Sequence, residues 1–126
     1  MTKRTTDHGN PWYHQMTTEI INNSNNKDLE TNVIESIRQV YDPEIPINVY
    51  DLGLIYQLRF DEDDSVYVKM TLTTPNCPVA GILPGQVESA VMLSEGVTDA
   101  RLELTFDPPF TIEMMSDEAK LELGLM

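Results

Sequence analysis

Two short runs of alternating side chains, Leu54-Ile55-Tyr56-Gln57-Leu58-Arg59-Phe60 and Val66-Tyr67-Val68-Lys69-Met70-Thr71-Leu72, stand on either side of Asp61-Glu62-Asp63-Asp64. A period of two belongs to a strand with one buried and one wet face, and a charged tetrapeptide between two such runs reads as a hairpin loop. The pair predicts two antiparallel strands. Leu54, Tyr56, Leu58 and Phe60 share one face of the first, and Val66, Val68, Met70 and Leu72 one face of the second. A sheet apolar on one side must be covered, and the flanking sequence supplies the cover. Leu29, Val33, Ile37 and Val40 recur at helical spacing behind a capping Asp28, and this helix ends near Tyr41 because Pro43 disfavours the helical region for Asp42. Leu83, Val87, Ala90 and Val91 form a second stripe, from about Leu83 to Leu93, with Pro84 in its first turn and Gly96 beyond its end. Thr98 to Phe106 alternates as a third strand that Asp107-Pro108-Pro109 stops, and Ser116 caps a last short helix, Asp117 to Leu123, followed by Gly124. The order helix, strand, strand, helix, strand, short helix predicts a small single α/β domain of the α+β kind: a three-stranded sheet with helices on one face. The other face carries Gln57, Arg59, Tyr67, Lys69, Arg101 and Glu103 and is wet or open to a partner.

The chain of 126 residues has the length of one domain. Residues 1–27 are polar, end in Asn22-Asn23-Ser24-Asn25-Asn26, and hold both histidines, His8 and His14, and the one tryptophan, Trp12. Such a composition buries too little surface to offset its ordering entropy, so 1–27 is expected as a mobile tail and 28–126 as the folded domain. The formal charge of −13 makes nucleic acid and anionic membrane poor partners. No apolar run is long enough to span a bilayer, and Met1-Thr2-Lys3-Arg4 leads into nothing like a signal peptide. A single cysteine forms no intramolecular disulfide. The expected compartment is a reducing cytoplasm.

That cysteine, Cys77, lies in Thr73-Thr74-Pro75-Asn76-Cys77-Pro78, between the second strand and the second predicted helix. A helix start favours thiolate over thiol, which makes Cys77 the leading candidate for chemistry; the plainer reading is a small buried hydrophobe. The domain has no histidine for a Cys-His or Ser-His-Asp arrangement, no Cys-x-x-Cys pair for zinc or thioredoxin-type redox work, and no Gly-rich phosphate loop. One thiolate falls short of the four ligands an iron-sulfur cluster usually takes.

Four stretches remain: Asp42-Pro43-Glu44-Ile45-Pro46, Asp51-Leu52-Gly53-Leu54-Ile55-Tyr56, the Thr73 to Pro78 segment, and Asp107-Pro108-Pro109-Phe110-Thr111. Each is a common turn sequence alone. In this order and spacing they resemble the SufT-like family of iron-sulfur cluster assembly factors, to which the PaaD proteins and the eukaryotic cytosolic targeting factors also belong. The resemblance covers roughly residues 29–126 and implies a small α/β domain, not itself an enzyme, that delivers or matures clusters on client apoproteins. It implies that the family's reactive cysteine falls on Cys77, its acidic turn on Asp42 and Glu44, and its threonines on Thr73 and Thr74. Asp51 and Gly53 read as a structural turn. It further implies no firmly bound cofactor, at most a transient iron-sulfur cluster or iron at Cys77 or at a dimer interface. Iron-sulfur scaffold or carrier proteins and client apoproteins are the implied partners, and uncovered sheet edges in so short a domain leave room for a homodimer. The extra C-terminal cysteines of PaaD-like proteins have no counterpart before Met126, which favours the general SufT-like role. Two other readings of Cys77 stay open at this level: a nucleophile with Asp42 or Glu44 as base, and an inert residue of a protein-interaction adaptor.

Overall fold

The computed structural model describes residues 2–4, 18–43, 45–73 and 82–124. In chain order its elements are β1 (Thr2–Arg4), β2 (Glu19–Asn22), α1 (Leu29–Ile37), α2 (Val49–Leu52), β3 (Ile55–Phe60), β4 (Ser65–Met70), α3 (Leu83–Met92), β5 (Asp99–Leu104), a 3-10 turn (Ile112–Met114) and α4 (Asp117–Glu122). The mixed α+β class is as expected from the sequence. The sheet has five strands in the order β1-β2-β3-β4-β5, where the alternation predicts three.

The hairpin of β3 and β4 is antiparallel, and β5 joins β4 in parallel, as a crossover through α3 requires. Phe60 and Leu58 of β3, with Val66, Val68 and Met70 of β4, are buried against Leu29, Val33 and Ile37 of α1 and Leu83, Val87 and Val91 of α3. The apolar stripes of both helices thus meet the one apolar face of the sheet. Ser116 caps α4, its hydroxyl accepting the Ala119 N–H at 3.1 Å. Asp28 occupies the N-cap position of α1 without a side-chain bond to the helix. The helix stops at Ile37, earlier than the apolar spacing suggests, because the N–H groups of Gln39 and Val40 turn to the carbonyls of Ser36 and Ile37.

Two corrections bear on the site. First, the segment read as a tail contributes β1 and β2. Glu19–Asn22 runs parallel to β3 in register Ile20 with Leu58, the Asn23 N–H bonds the Phe60 carbonyl at 2.7 Å, and Ile20 is only 3% exposed. Glu19-Ile20-Ile21-Asn22 is too short to announce itself locally, and its partner lies nearly forty residues away in the chain. Second, the alternation of the first run slips. The register shifts between Ile55 and Gln57, so Ile55, opposite Met70, enters the core and Tyr56 becomes the extra residue of a bulge. Leu54, Leu58 and Phe60 keep the predicted burial; Tyr56 does not.

Deleting residues 1–27 removes the Ile20 side chain and uncovers the β3 edge. Loss of one fully buried isoleucine costs about 2 kcal/mol. For a domain of this size the truncated protein should melt about 10 °C lower. An unchanged thermal transition would mean that β2 adds nothing to the sheet.

Candidate functional site

The second and fourth of the motif stretches meet the exit of the strand that leads toward the third at one end of the sheet. The Thr71 N–H donates to the Leu54 carbonyl at 2.8 Å, the Thr105 N–H donates to the Met70 carbonyl at 2.8 Å, and the Tyr56 hydroxyl donates to the Pro108 carbonyl at 2.7 Å. The start of β3, the exit of β4 and the loop after β5 are therefore tied by three hydrogen bonds. Bulging is what turns Tyr56 out of the core to reach Pro108, beyond the cis Asp107-Pro108 bond. Its phenol also approaches Met114 Sδ at 3.4 Å. Burial raises the Tyr56 pKa above the ordinary phenol value, while a hydrogen bond with the Thr71 hydroxyl pulls the other way. Thr71 is fully buried, Leu72 nearly so, and Thr73 half-buried as the chain leaves this end. Thr74 and Cys77, four residues beyond Thr73 in the chain, lie outside the described residues, as does Glu44.

Asp42 is 5% exposed. Its Oδ1 accepts the Ile45 N–H at 3.0 Å, and its own N–H donates to the Ile47 carbonyl at 3.2 Å, while Tyr41 forms an isolated bridge with Asn48. The carboxylate thus closes the Asp42-Pro43 turn over its own backbone, and this turn delivers the chain to α2. Asn48 caps α2 by accepting the Asp51 N–H at 2.9 Å, and its amide donates back to Asp51 Oδ2 at 2.9 Å. Arg38, at the end of α1, donates to both oxygens of Asp51 at 3.0 and 3.2 Å, and the Asp51 carbonyl accepts the Ser116 N–H at 2.8 Å. Asp51 thereby ties α2 to α1 and to the entry of α4. Gly53 ends α2 at φ 91°, packed on the 3-10 turn.

Sequence reasoning passed over Tyr56, Asn48 and Arg38. Only Asn48 left a local signal, as an N-cap residue three positions before Asp51; the partners of Tyr56 and Arg38 come from distant segments. Among the described residues no three His, Cys, Asp or Glu side chains are placed to hold a metal ion, and no helix is long and apolar enough to cross a membrane.

These features define a small α+β domain whose candidate site is a convergence of chain segments at one end of a mixed sheet, where the chain leaves through Thr73, four residues before its one cysteine in sequence. The chain belongs to the iron-sulfur cluster assembly protein family, whose model matches residues 30–104. It is 48% identical over 104 residues to an Fe-S protein maturation auxiliary factor of Porphyromonas gingivalis, covering 81% of this chain and 99% of that one. It is 36% identical over 97 residues to the auxiliary factor YitW of Bacillus subtilis, covering 77% and 95% of the two chains. Among solved structures it is similar to a domain of unknown function from Bacillus anthracis, with a TM-score of 0.72 at 29% identity, covering 79% of this chain and 95% of that one. A conserved hypothetical protein of Thermotoga maritima is similar with a TM-score of 0.66 at 40% identity, covering 80% and 96%.

Proposed function

We propose that this protein is an auxiliary factor in iron-sulfur cluster assembly, which delivers or matures clusters on client apoproteins and works by binding and hand-over, not by catalysis. The likeness to the Porphyromonas gingivalis maturation factor, over nearly that protein's whole length, carries the reading. The cluster or its iron is cargo. Cys77 is the thiolate that touches it, and since one thiolate cannot complete a cluster's ligand set, the remaining ligands come from the scaffold, carrier or client protein, or from Cys77 of a second copy. Thr73 and Thr74 lead into that loop and orient its ligands. Asp42 and Glu44 form the acidic turn that supports it, Asp42 chiefly by fixing the turn through its bond to the Ile45 N–H.

A strain lacking the gene, grown under iron limitation, tests the proposal. Several iron-sulfur enzymes should lose most of their activity at unchanged polypeptide levels, while enzymes without clusters keep theirs, and the wild-type gene should restore both. Full activity of every cluster enzyme in the deletion strain would overturn it.

A further inference from the structure

β5 is the last strand of the sheet, and among the described residues no backbone hydrogen bond reaches its outer edge. The Thr105 N–H donates to the Met70 carbonyl of β4 at 2.8 Å, and successive strand residues point their backbone groups to opposite edges, so Asp99, Arg101 and Glu103 also face β4. The N–H and C=O groups of Ala100, Leu102 and Leu104 therefore point outward. The side chains of the same three residues pack against the core yet are only partly buried, whereas their register partners on β4, Val66, Val68 and Met70, are 2%, 0% and 0% exposed. Natural sheets blunt such an edge with lysine, proline, a bulge or a very short strand. β5 has none of these: its six residues run in unbroken register with β4. Its exposed side chains alternate in sign along Asp99, Arg101 and Glu103, and Arg101 has no ion-pair or hydrogen-bond partner among the described residues.

We propose that this edge docks a second copy of the chain, β5 against β5 in antiparallel pairing about a twofold axis at Leu102. The sequence of the strand selects that register. An axis at Arg101 or Glu103 sets that charge against its own copy. An axis at Ala100 or Leu104 runs the pairing off the strand, onto Gly96-Val97-Thr98 or onto Phe106-Asp107-Pro108. With the axis at Leu102, each Arg101 meets the partner's Glu103, Asp99 meets the partner's Thr105 hydroxyl, Leu102 meets its own copy, and Ala100 meets the partner's Leu104. The outward backbone groups then form three hydrogen-bonded pairs, about six bonds in all, and the ion pairs fall at the non-hydrogen-bonded positions where side chains come closest. Glu103 keeps acceptor capacity for Arg101 beside its bond from the Tyr67 hydroxyl. So short a pairing lies at the small end of specific interfaces and a charge of −13 per chain opposes it, so the expected dissociation constant is on the order of 10–100 μM. The axis sends the two chain exits at Thr73 to opposite ends of the joint sheet. On the assembly role proposed above, each copy then meets its own client, and the further cluster ligands come from the scaffold, carrier or client protein.

Sedimentation velocity of the full-length protein over a concentration series, at roughly 0.15 M salt to screen the overall charge, should show monomer passing reversibly into dimer. Hydrogen exchange should slow at the Ala100, Leu102 and Leu104 amides as the dimer forms. Arg101→Glu and Glu103→Arg each bring like charges together twice and should weaken self-association at least tenfold. Mixed in equal amounts, the two variants place opposite charges at both pairs and should form a heterodimer of near wild-type affinity. Both positions are exposed, so melting temperatures should hold; should either variant be destabilised, recovery on mixing still reads the pairing. A protein that stays monomeric up to about 1 mM, self-association indifferent to either variant, a mixture that stays monomeric, or protection confined to other surfaces would overturn the proposal. None of these measurements involves Cys77 or a cluster, so the dimer can fail while the assembly role stands, and the reverse.

Discussion

Cys77→Ser should leave the melting curve nearly in place and abolish support of iron-sulfur enzymes in a strain that lacks the wild-type gene. Serine replaces the thiol with a hydroxyl of similar size, so an effect on the order of 1 kcal/mol or less is expected on folding. The chemical change is far larger. A thiol titrates near neutrality and gives a soft anion that binds iron, whereas a hydroxyl stays protonated and binds it poorly. Client activities should fall to the level of the deletion strain, with the variant protein present at normal abundance. Iodoacetamide supplies a second readout on the purified wild-type protein: a working thiolate reacts in the folded state, a buried inert thiol only after unfolding. Full complementation by the serine variant, with a thiol silent until denaturation, would reduce Cys77 to a packing residue.

Gly53→Ala should be the most destabilising single-methyl change in the described chain, costing about 3 kcal/mol or more. Two independent causes act at this position. The backbone at φ 91° ends α2 in the left-handed region, where a Cβ costs about 1 to 2 kcal/mol. In addition, the new Cβ would stand 2.3 Å from the Met114 carbonyl oxygen and 2.7 Å from its carbon, both backbone atoms that cannot swing aside. Relief requires the Ile112–Met114 turn to withdraw, which strains the Ser116 N–H bond to the Asp51 carbonyl and the approach of Met114 to Tyr56. The damage therefore reaches the candidate site. Gly85→Ala provides the contrast: Gly85 lies within α3 with nothing within 4 Å of the added carbon, and alanine there should stabilise by up to about 1 kcal/mol. Thermal denaturation of the two variants decides the matter, and equal melting temperatures would show that α2 and the 3-10 turn are not rigidly packed.

Much of the scaffold is written locally. The β3–β4 hairpin, β5, α1, α3 and α4 each declare themselves by a period of two or of 3.6 and by nearby stop signals such as Gly96 and Asp107-Pro108. Their apolar faces leave one economical way to pack, with helices on one side of a sheet. The wet outer face was legible for the same reason, since Arg59, Tyr67, Lys69, Arg101 and Glu103 fall on the positions that the buried residues leave over. The family, too, was legible, because turn residues at Asp42-Pro43, Asp51-Gly53 and Asp107-Pro108 keep an order that survives reading without coordinates.

Other features depend on partners far apart in the chain. β2 is a strand only because β3 offers it an edge, and Ile20 is core only because that edge borders Leu58 and Phe60. The bulge that brings Ile55 inside and turns Tyr56 toward Pro108 is a property of pairing between two strands, so no alternation within one strand could signal it. The same holds for Arg38 reaching Asp51 and for Met114 closing on Gly53. Local side-chain periodicity determined the elements and their buried faces. Contacts between distant segments, which repay chain-closure entropy only once the whole sheet is assembled, decided the edge, the bulge and the joining of loops at the candidate site.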